Sequence, residues 1–342
     1  MQNNANRTKI EISWSTIAKI ILAVFAIWFL WAIRDIIVLF FIVLVIVAAI
    51  GPLVDRLTKY LPRVLALIIV TLIFLGLLTG IGFVIIPPVV NQLQALAINL
   101  PEILSKLGPF YSSLQNTVAD YQESLFNVSS QIGRLGSGIY STTIGFISGI
   151  VAVLTILVLS FYMLLEQESL KSFFHQTIPS EHKEKILELF RKIGQKMGSW
   201  LRGQALLMLI IGILDGIALG VLGVPYALTL AVWGGLTEVI PYVGPWLGLI
   251  PAFLVALTVS PLKALIILIA YVVIQQLEAQ FLAPKIMGKA VGLSPVIIIL
   301  AILCGAKLMG ILGVIIAVPV AAAISVLIQE WPEIKKIREN SG

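Results

Sequence analysis

The fold class this sequence predicts is an all-α membrane protein with about eight transmembrane helices, broken or re-entrant in its C-terminal half. Three observations carry that reading. Of the 342 residues, 59% are hydrophobic and only 12% are charged, where a soluble domain has about 25% charged residues. Mean hydropathy is +1.05, so there are too few charges to cover a water-facing surface. The apolar residues fall into runs of about the twenty residues that a helix needs to cross a bilayer.

In chain order, the first two candidate spans are 14–33 and 36–54. The first follows a polar, basic leader and is too long for the apolar stretch of a cleavable signal, so it reads as a span. The third covers 64–90, ending at Pro87 and Pro88, the fourth 140–165 and the fifth 203–222. The sixth, 227–259, is interrupted by EVIPYVGP at 238–245. The seventh is 262–277, and the eighth, 295–328, is interrupted by GAKLMG at 305–310.

Basic residues orient these spans. Arg7 and Lys9 precede the first, Arg56, Lys59 and Arg63 follow the second, seven Lys and Arg residues lie between 171 and 202, and Lys335, Lys336 and Arg338 end the chain. With eight spans all four groups fall on one side, and the positive-inside rule makes that side, with both termini, cytoplasmic. The membrane is then the inner cell membrane, and the protein is multi-pass.

Two segments are amphipathic without being spans. In the outer one, 91–135, Tyr111, Leu114, Val118, Tyr121, Leu125, Val128, Ile132 and Leu135 recur by threes and fours and form a helical stripe. Such a stripe suits a helix lying on the membrane or one packed on a neighbouring subunit. The inner one follows Pro179 and Ser180 and puts Ile186, Leu189, Phe190, Ile193, Met197 and Trp200 on one face. Glu181–Lys185 and Glu188–Lys192 support it at a four-residue spacing, so it reads as a cytoplasmic helix leading into the fifth span.

Several chemistries lack their residues. There is no GxxxxGK[ST] loop for nucleotide phosphates and no HExxH pair for zinc. The two histidines, His175 and His182, lie in a loop, and the single cysteine, Cys304, excludes an intrachain disulfide. No metal site, cofactor or enzymatic activity is expected. The net charge of +6 belongs to membrane topology rather than to nucleic-acid binding.

The chemistry that is present lies in the second half. Gly212, Gly216 and Gly220 share a helix face that permits close packing, and Asp215 sits beside them. In EVIPYVGP, Pro241 and Pro245 each remove a backbone donor, and Gly244 lies between them. The break is expected to leave carbonyls free, a condition tolerated in a membrane only inside protein or along a water-filled cavity. Glu238, one turn earlier, would cost about 2.5–3.5 kcal/mol if it faced lipid. A second break, QQLEAQFLAPKIMGKAVGLSP at 275–295, brings Gln275, Gln276, Glu278, Lys285 and Lys289 around Pro284 and Gly288. It reads as a short helix or re-entrant turn. The third, at Gly305–Gly310, carries Lys307. Broken helices with ionisable neighbours point to a transporter's binding site, so the three breaks are expected to build one substrate path. A snorkelling glutamate beside a purely structural kink is the plainer reading of the same residues.

EVIPYVGPWLGLIPA (238–252), QQLEAQFLAPKIMGKAVGLSPV (275–296) and GILGVIIAVPVAA (310–322) resemble the autoinducer-2 exporter family of bacterial and archaeal membrane proteins. The resemblance runs along nearly the whole chain, in the front half mainly as layout. It implies a secondary transporter that exports a small polar solute such as autoinducer-2, or a sodium(lithium)/proton antiporter. It also implies a homo-oligomer, a pentamer, with a moving transport unit. On that reading the chain divides into transmembrane helices one to three (1–90), an extracytoplasmic amphipathic segment (91–139) and helix four (140–166). A cytoplasmic helical loop (167–202), a transport core with broken helices (203–330) and a cytoplasmic tail (331–342) follow. Glu238 is the first candidate for the coupling carboxylate, with Glu278 and Asp215 as alternatives. Carbonyls near Pro241, Gly244 and Pro245, with Gln275 and Gln276, are expected to meet the solute, and Lys285 or Lys307 to balance charge. The competing reading is a membrane scaffold that transports nothing and binds a partner through 91–135.

Overall fold

The computed structural model describes residues 14–77, 79–80, 139–169, 172, 176, 183–287 and 292–340. The outer amphipathic segment, the end of the third span, both histidines and Lys289 lie outside the described residues. Every regular element among the described residues is a helix, and this is an all-α membrane fold.

Helix α1 (Trp14–Ala32) has no buried residue and barely touches α2 (Arg34–Leu57). Its flanks are bare Ile, Leu, Phe and Trp, a surface suited to lipid or to another protein chain but not to water. The next helices, α3 (Arg63–Leu77) and α4 (Ile139–Leu165), pack with α2 around Val54, Ala66, Leu67, Val70 and Leu164. Arg63 donates from Nη2 to the Leu164 carbonyl at 2.7 Å and to Gln167 Oε1 at 2.6 Å. A cation thus closes the carbonyl end of α4, where the helix dipole favours positive charge.

Helix α5 (Lys183–Val221) has 39 residues, about 58 Å at 1.5 Å per residue, so it outruns a hydrocarbon core of about 30 Å. The expected cytoplasmic helix and the fifth span are one continuous rod. The rod ends at Gly223, whose φ of 60° only glycine adopts freely. There Val224 N–H returns to the Leu219 carbonyl at 3.0 Å. Contact with α5 organises most of what surrounds it. The helices packed on it are α2, α6 (Ala227–Thr237), α8 (Pro261–Leu277), α9 (Ala283–Met287) and α10 (Pro295–Asn340).

The α2–α5 joint follows from one proline. Pro52 lies inside α2 and has no N–H for the Ala48 carbonyl four residues back. Arg202 of α5 donates from Nη1 to the Ala48 and Ala49 carbonyls, both at 3.1 Å. Gly198 lies so close to the Ala48 carbonyl that a side chain there would overlap it.

The run 227–259 does not cross as one kinked span. It folds back on itself as α6 and α7 (Gly244–Val259). Gly234 lies against Gly248, and the Trp233 indole donates to the Leu247 carbonyl at 2.9 Å. At 11 and 16 residues, the arms are about 16 and 24 Å long, short of the bilayer core. Ser260 then caps α8, accepting from Lys263 N–H at 3.1 Å. Helix α8 widens into a π-turn, Glu278–Leu282, before α9. Pro284 follows, with no N–H to continue a regular ladder.

Helix α10 is also two arms. Gly310 has φ 61° and ψ −138°, outside the helical region. Gly305 and Gly313 meet backbone to backbone, and Ile298 packs with Val318 and Ala322. The arms are therefore antiparallel, and the first, 295–309, is about 22 Å long. The second runs back along α5. Lys192 pairs with Glu330 at 2.9 Å and with Glu188 at 3.3 Å, and Lys196 donates to Ser325 Oγ at 2.9 Å.

The glycine face of α5 is only partly a seam. A Cβ on Gly212 would meet the Ala231 carbonyl at 3.2 Å, and one on Gly216 the Ala231 Cβ at 3.2 Å. Gly220 has nothing within 4 Å, because α6 starts only after the turn at Gly223. Gly235 answers from α6, where an added Cβ would stand 2.6 Å from the Met208 carbonyl. Gly235→Val is therefore expected to destabilise the protein by about 2 kcal/mol or more, while Gly220→Ala is neutral or stabilising. Arg202→Ala is expected to lower the melting temperature by about 2–4 °C, on the order of 1 kcal/mol for a large chain. Thermal unfolding of detergent-purified variants checks all three.

Candidate functional site

The buried face of α5 carries Gln204, Leu207, Ile211, Asp215 and Leu219, a three-to-four spacing that keeps them in one line. Two members of that line are polar. Gln204 and Asp215 are each 2% exposed and stand about three turns, or about 16 Å, apart. What faces them comes from α6 and α8.

Asp215 reaches the backbone of Gly234 on α6, where any Cβ would collide with its Oδ2. The Tyr271 hydroxyl of α8 lies 3.9 Å from the same point. Glycine at 234 is what lets a carboxylate and a phenol approach a helix backbone. At the other end, Gln204 donates from Nε2 to the Glu238 carbonyl. Glu238 is 1% exposed, and its carboxylate faces that of Glu278, which leads the π-turn after α8. Gln275 Nε2 donates to Glu278 Oε2 at 3.2 Å. Thr237, also buried, donates to the Gly234 carbonyl at 2.9 Å and so lines the middle of the series.

The result is a buried polar file, Gln204–Glu238–Glu278–Tyr271–Asp215, through an otherwise apolar interior. Glu238 and Glu278 stand together, and Asp215 lies within electrostatic reach of both. Among the described residues no three His, Cys, Asp or Glu side chains form a metal-holding group. Among the same residues no Lys or Arg pairs with any of the three carboxylates. The Tyr271 hydroxyl faces the Asp215 carboxylate, and Asp215 Oδ1 and Glu238 Oε2 lie buried without a close, well-aligned protein donor.

Of the residues singled out in the sequence, Asp215, Glu238, Glu278 and Gln275 meet here. Gln276 is exposed and accepts from Gln280 at 3.1 Å. Lys285 and Lys307 are exposed and outside the file. An ammonium on a long apolar stem reaches the surface at lower cost than it can be buried. The freed carbonyls expected at the Pro241–Pro245 break are largely taken up inside the protein. The Thr237 carbonyl accepts from Ile240 N–H at 3.1 Å, the Ile240 carbonyl from Gly244 N–H at 2.8 Å, and the Glu238 carbonyl from Gln204. Tyr242 turns the chain with φ 66°, and Gly244 packs on the Thr237 carbonyl with no room for a side chain. The break thus sets the height of Glu238 rather than offering a ring of carbonyls.

Sequence reasoning missed Gln204 and Tyr271. Each left a trace. Gln204 is a lone amide in an apolar run, and Tyr271 of α8 lies seven residues, about two helical turns, before Glu278.

Comparison with known proteins places this chain among membrane transporters. Residues 20–333 match the model of the AI-2E family transporters. YrrI of Bacillus subtilis, a transport protein by name, is 34% identical over 280 residues, covering 79% of this chain and 78% of its own. YueF of the same organism, also a transport protein by name, is 29% identical over 305 residues, 85% and 83% of the two chains. The Escherichia coli permease PerM is 25% identical over 277 residues, 78% of each. With the family model running through α2, α5 and every element of the polar file, this chain belongs to the AI-2E transporter family.

Proposed function

We propose that the protein is a secondary transporter whose buried carboxylate file exchanges protons, with Glu238 and Glu278 as the coupling pair and Asp215 further along. The observation behind this is three buried carboxylates with no cationic partner among the described residues. An unpaired charge in the interior costs several kcal/mol. Each carboxylate therefore needs a proton or a cation from outside the protein, and occupancy of the file follows the supply of those species. The α6–α7 hairpin leads into Glu238 and the α10 hairpin packs on α5, and their Gly and Pro turns suit alternating access, in which such units rock about a fixed site.

The transported species on this reading is a small polar solute such as autoinducer-2, exported from the cell, as the family resemblance implies. Gln275 and Thr237 supply neutral hydrogen-bonding groups beside the carboxylates. Sodium(lithium)/proton antiport is the second reading, favoured by the donor set, since the file offers carboxylate, hydroxyl and amide oxygens that suit hard cations. A scaffold without transport leaves three buried carboxylates without a role. We read both termini as cytoplasmic in the inner membrane from the basic loops. The bare flank of α1 supports a homo-oligomer, for which the resemblance suggests a pentamer.

The test is reconstitution in liposomes with a pH-sensitive dye inside and an imposed sodium or lithium gradient. Cation-driven proton movement establishes antiport. Its absence, with proton-coupled counterflow of a polar solute, establishes solute export, and absence of both overturns the transporter reading for this chain. Glu238→Gln keeps shape and removes the titrating group, so coupled flux is expected to fall to about a tenth or less of wild type, a change of about 1.4 kcal/mol or more. Its melting temperature is expected to stay level or rise, because a buried unpaired charge has gone.

A further inference from the structure

A second feature of the molecule has no part in the polar file. A groove of about 620 Å³ opens between α2, α3, α5 and α10. Ile46, Ala49, Phe74, Trp200 and Ile316 are typical of its wall, and among the described residues Arg56 and Arg202 are its only charged lining residues. Every other described lining side chain is aliphatic, aromatic or proline. Along α2 it runs from Ile42 to Arg56, about 20 Å, with the exposed Arg56 at one end.

We propose that this groove binds an anionic phospholipid, its acyl chain along α2 and its phosphate on Arg56, with Arg202 as a second cation on the wall. The shape and charge select that occupant. A small polar solute finds no acceptor or neutral amide in the wall. A neutral apolar molecule leaves the guanidinium end unused. An amphiphile with one negative headgroup matches both parts, and a guanidinium holds a phosphate through two parallel N–H bonds. Arg56 has no ion pair or side-chain hydrogen bond among the described residues, so its donors are available. Arg202 uses Nη1 on α2 and one Nη2 bond on Ser199, 3.0 Å away, and keeps further N–H groups. Lys59 and Arg63 follow Arg56 in the sequence, so this end sits where juxtamembrane basic residues attract anionic lipids. Val239, the neighbour of Glu238, also lines the groove, so a bound chain lies against the α6–α7 break.

The experiment is native mass spectrometry of the full detergent-purified chain with added phosphatidylglycerol or phosphatidylcholine of identical acyl chains. The expected result is one phosphatidylglycerol per chain, retained at least tenfold better than phosphatidylcholine. Arg56→Gln should bring that preference close to one. Ala205→Phe, which fills the groove and leaves both arginines, should lose both lipids. Glycerol 3-phosphate at millimolar concentration should not displace the phosphatidylglycerol. Equal retention of the two lipids by the wild type overturns the proposal. So does full retention by Arg56→Gln, or displacement by glycerol 3-phosphate, which would make the site one for a free phosphate. If Ala205→Phe does not fold, Arg56→Gln decides alone, because Arg56 is exposed and holds nothing together. Circular dichroism and a monodisperse elution profile confirm that each variant compared is folded.

Discussion

The backbone approach of α5 to α6 is the contact on which the rest of this structure depends. Gly212 meets Gly235, and Gly216 meets Ala231. In lipid there is little hydrophobic drive to hold helices together, so close packing through small residues has to supply the attraction. That closeness also has a chemical consequence. Only with α6 this near does the Asp215 carboxylate reach the backbone at Gly234, and only with glycine at 234 is there space for it. The seam that stabilises the bundle is therefore also the seam that seats a carboxylate in it.

The departures from regular helix in the second half act together around α5. The turn between α6 and α7 puts Glu238 level with Gln204. The π-turn after α8 puts Glu278 opposite Glu238. The reversal at Gly310 brings the second arm of α10 back along α5, where Trp200, Val318 and Ala322 form an apolar cluster. Irregular backbone is tolerated at membrane depth when it is enclosed by protein. Here α5 does the enclosing, and its own amide side chain satisfies one carbonyl that the break exposes. The broken segments are held by contacts a regular helix would not need.

Two environments of opposite character lie on either side of that break. Glu238 points into the polar file and Val239 into the apolar groove beside α2. Consecutive residues just past the C-terminal end of α6 thus separate a region of buried charge from a region lined by hydrocarbon. A movement of the α6–α7 hairpin changes both at once.

Much of this was legible in the residues. Composition and run length determined a helical membrane protein, because too few charges were present to wet its surface. Proline and glycine spacing located the breaks at 238–245 and 305–310, because the loss of an N–H or of a Cβ acts within a few residues of chain. The carboxylates of those segments were visible as costly groups that need a reason to be in a membrane. Tertiary structure alone decided the company they keep. Gln204 meets Glu238 across 34 positions, and Tyr271 meets the Asp215 environment from another helix. Lys285 and Lys307, which looked like counter-charges, reach the surface instead. Helix periodicity and turn chemistry are local, whereas the pairing of side chains depends on which helix faces come together. In this fold that is governed by the small-residue seam on α5 and by the reversal of two runs that read, in one dimension, as single spans.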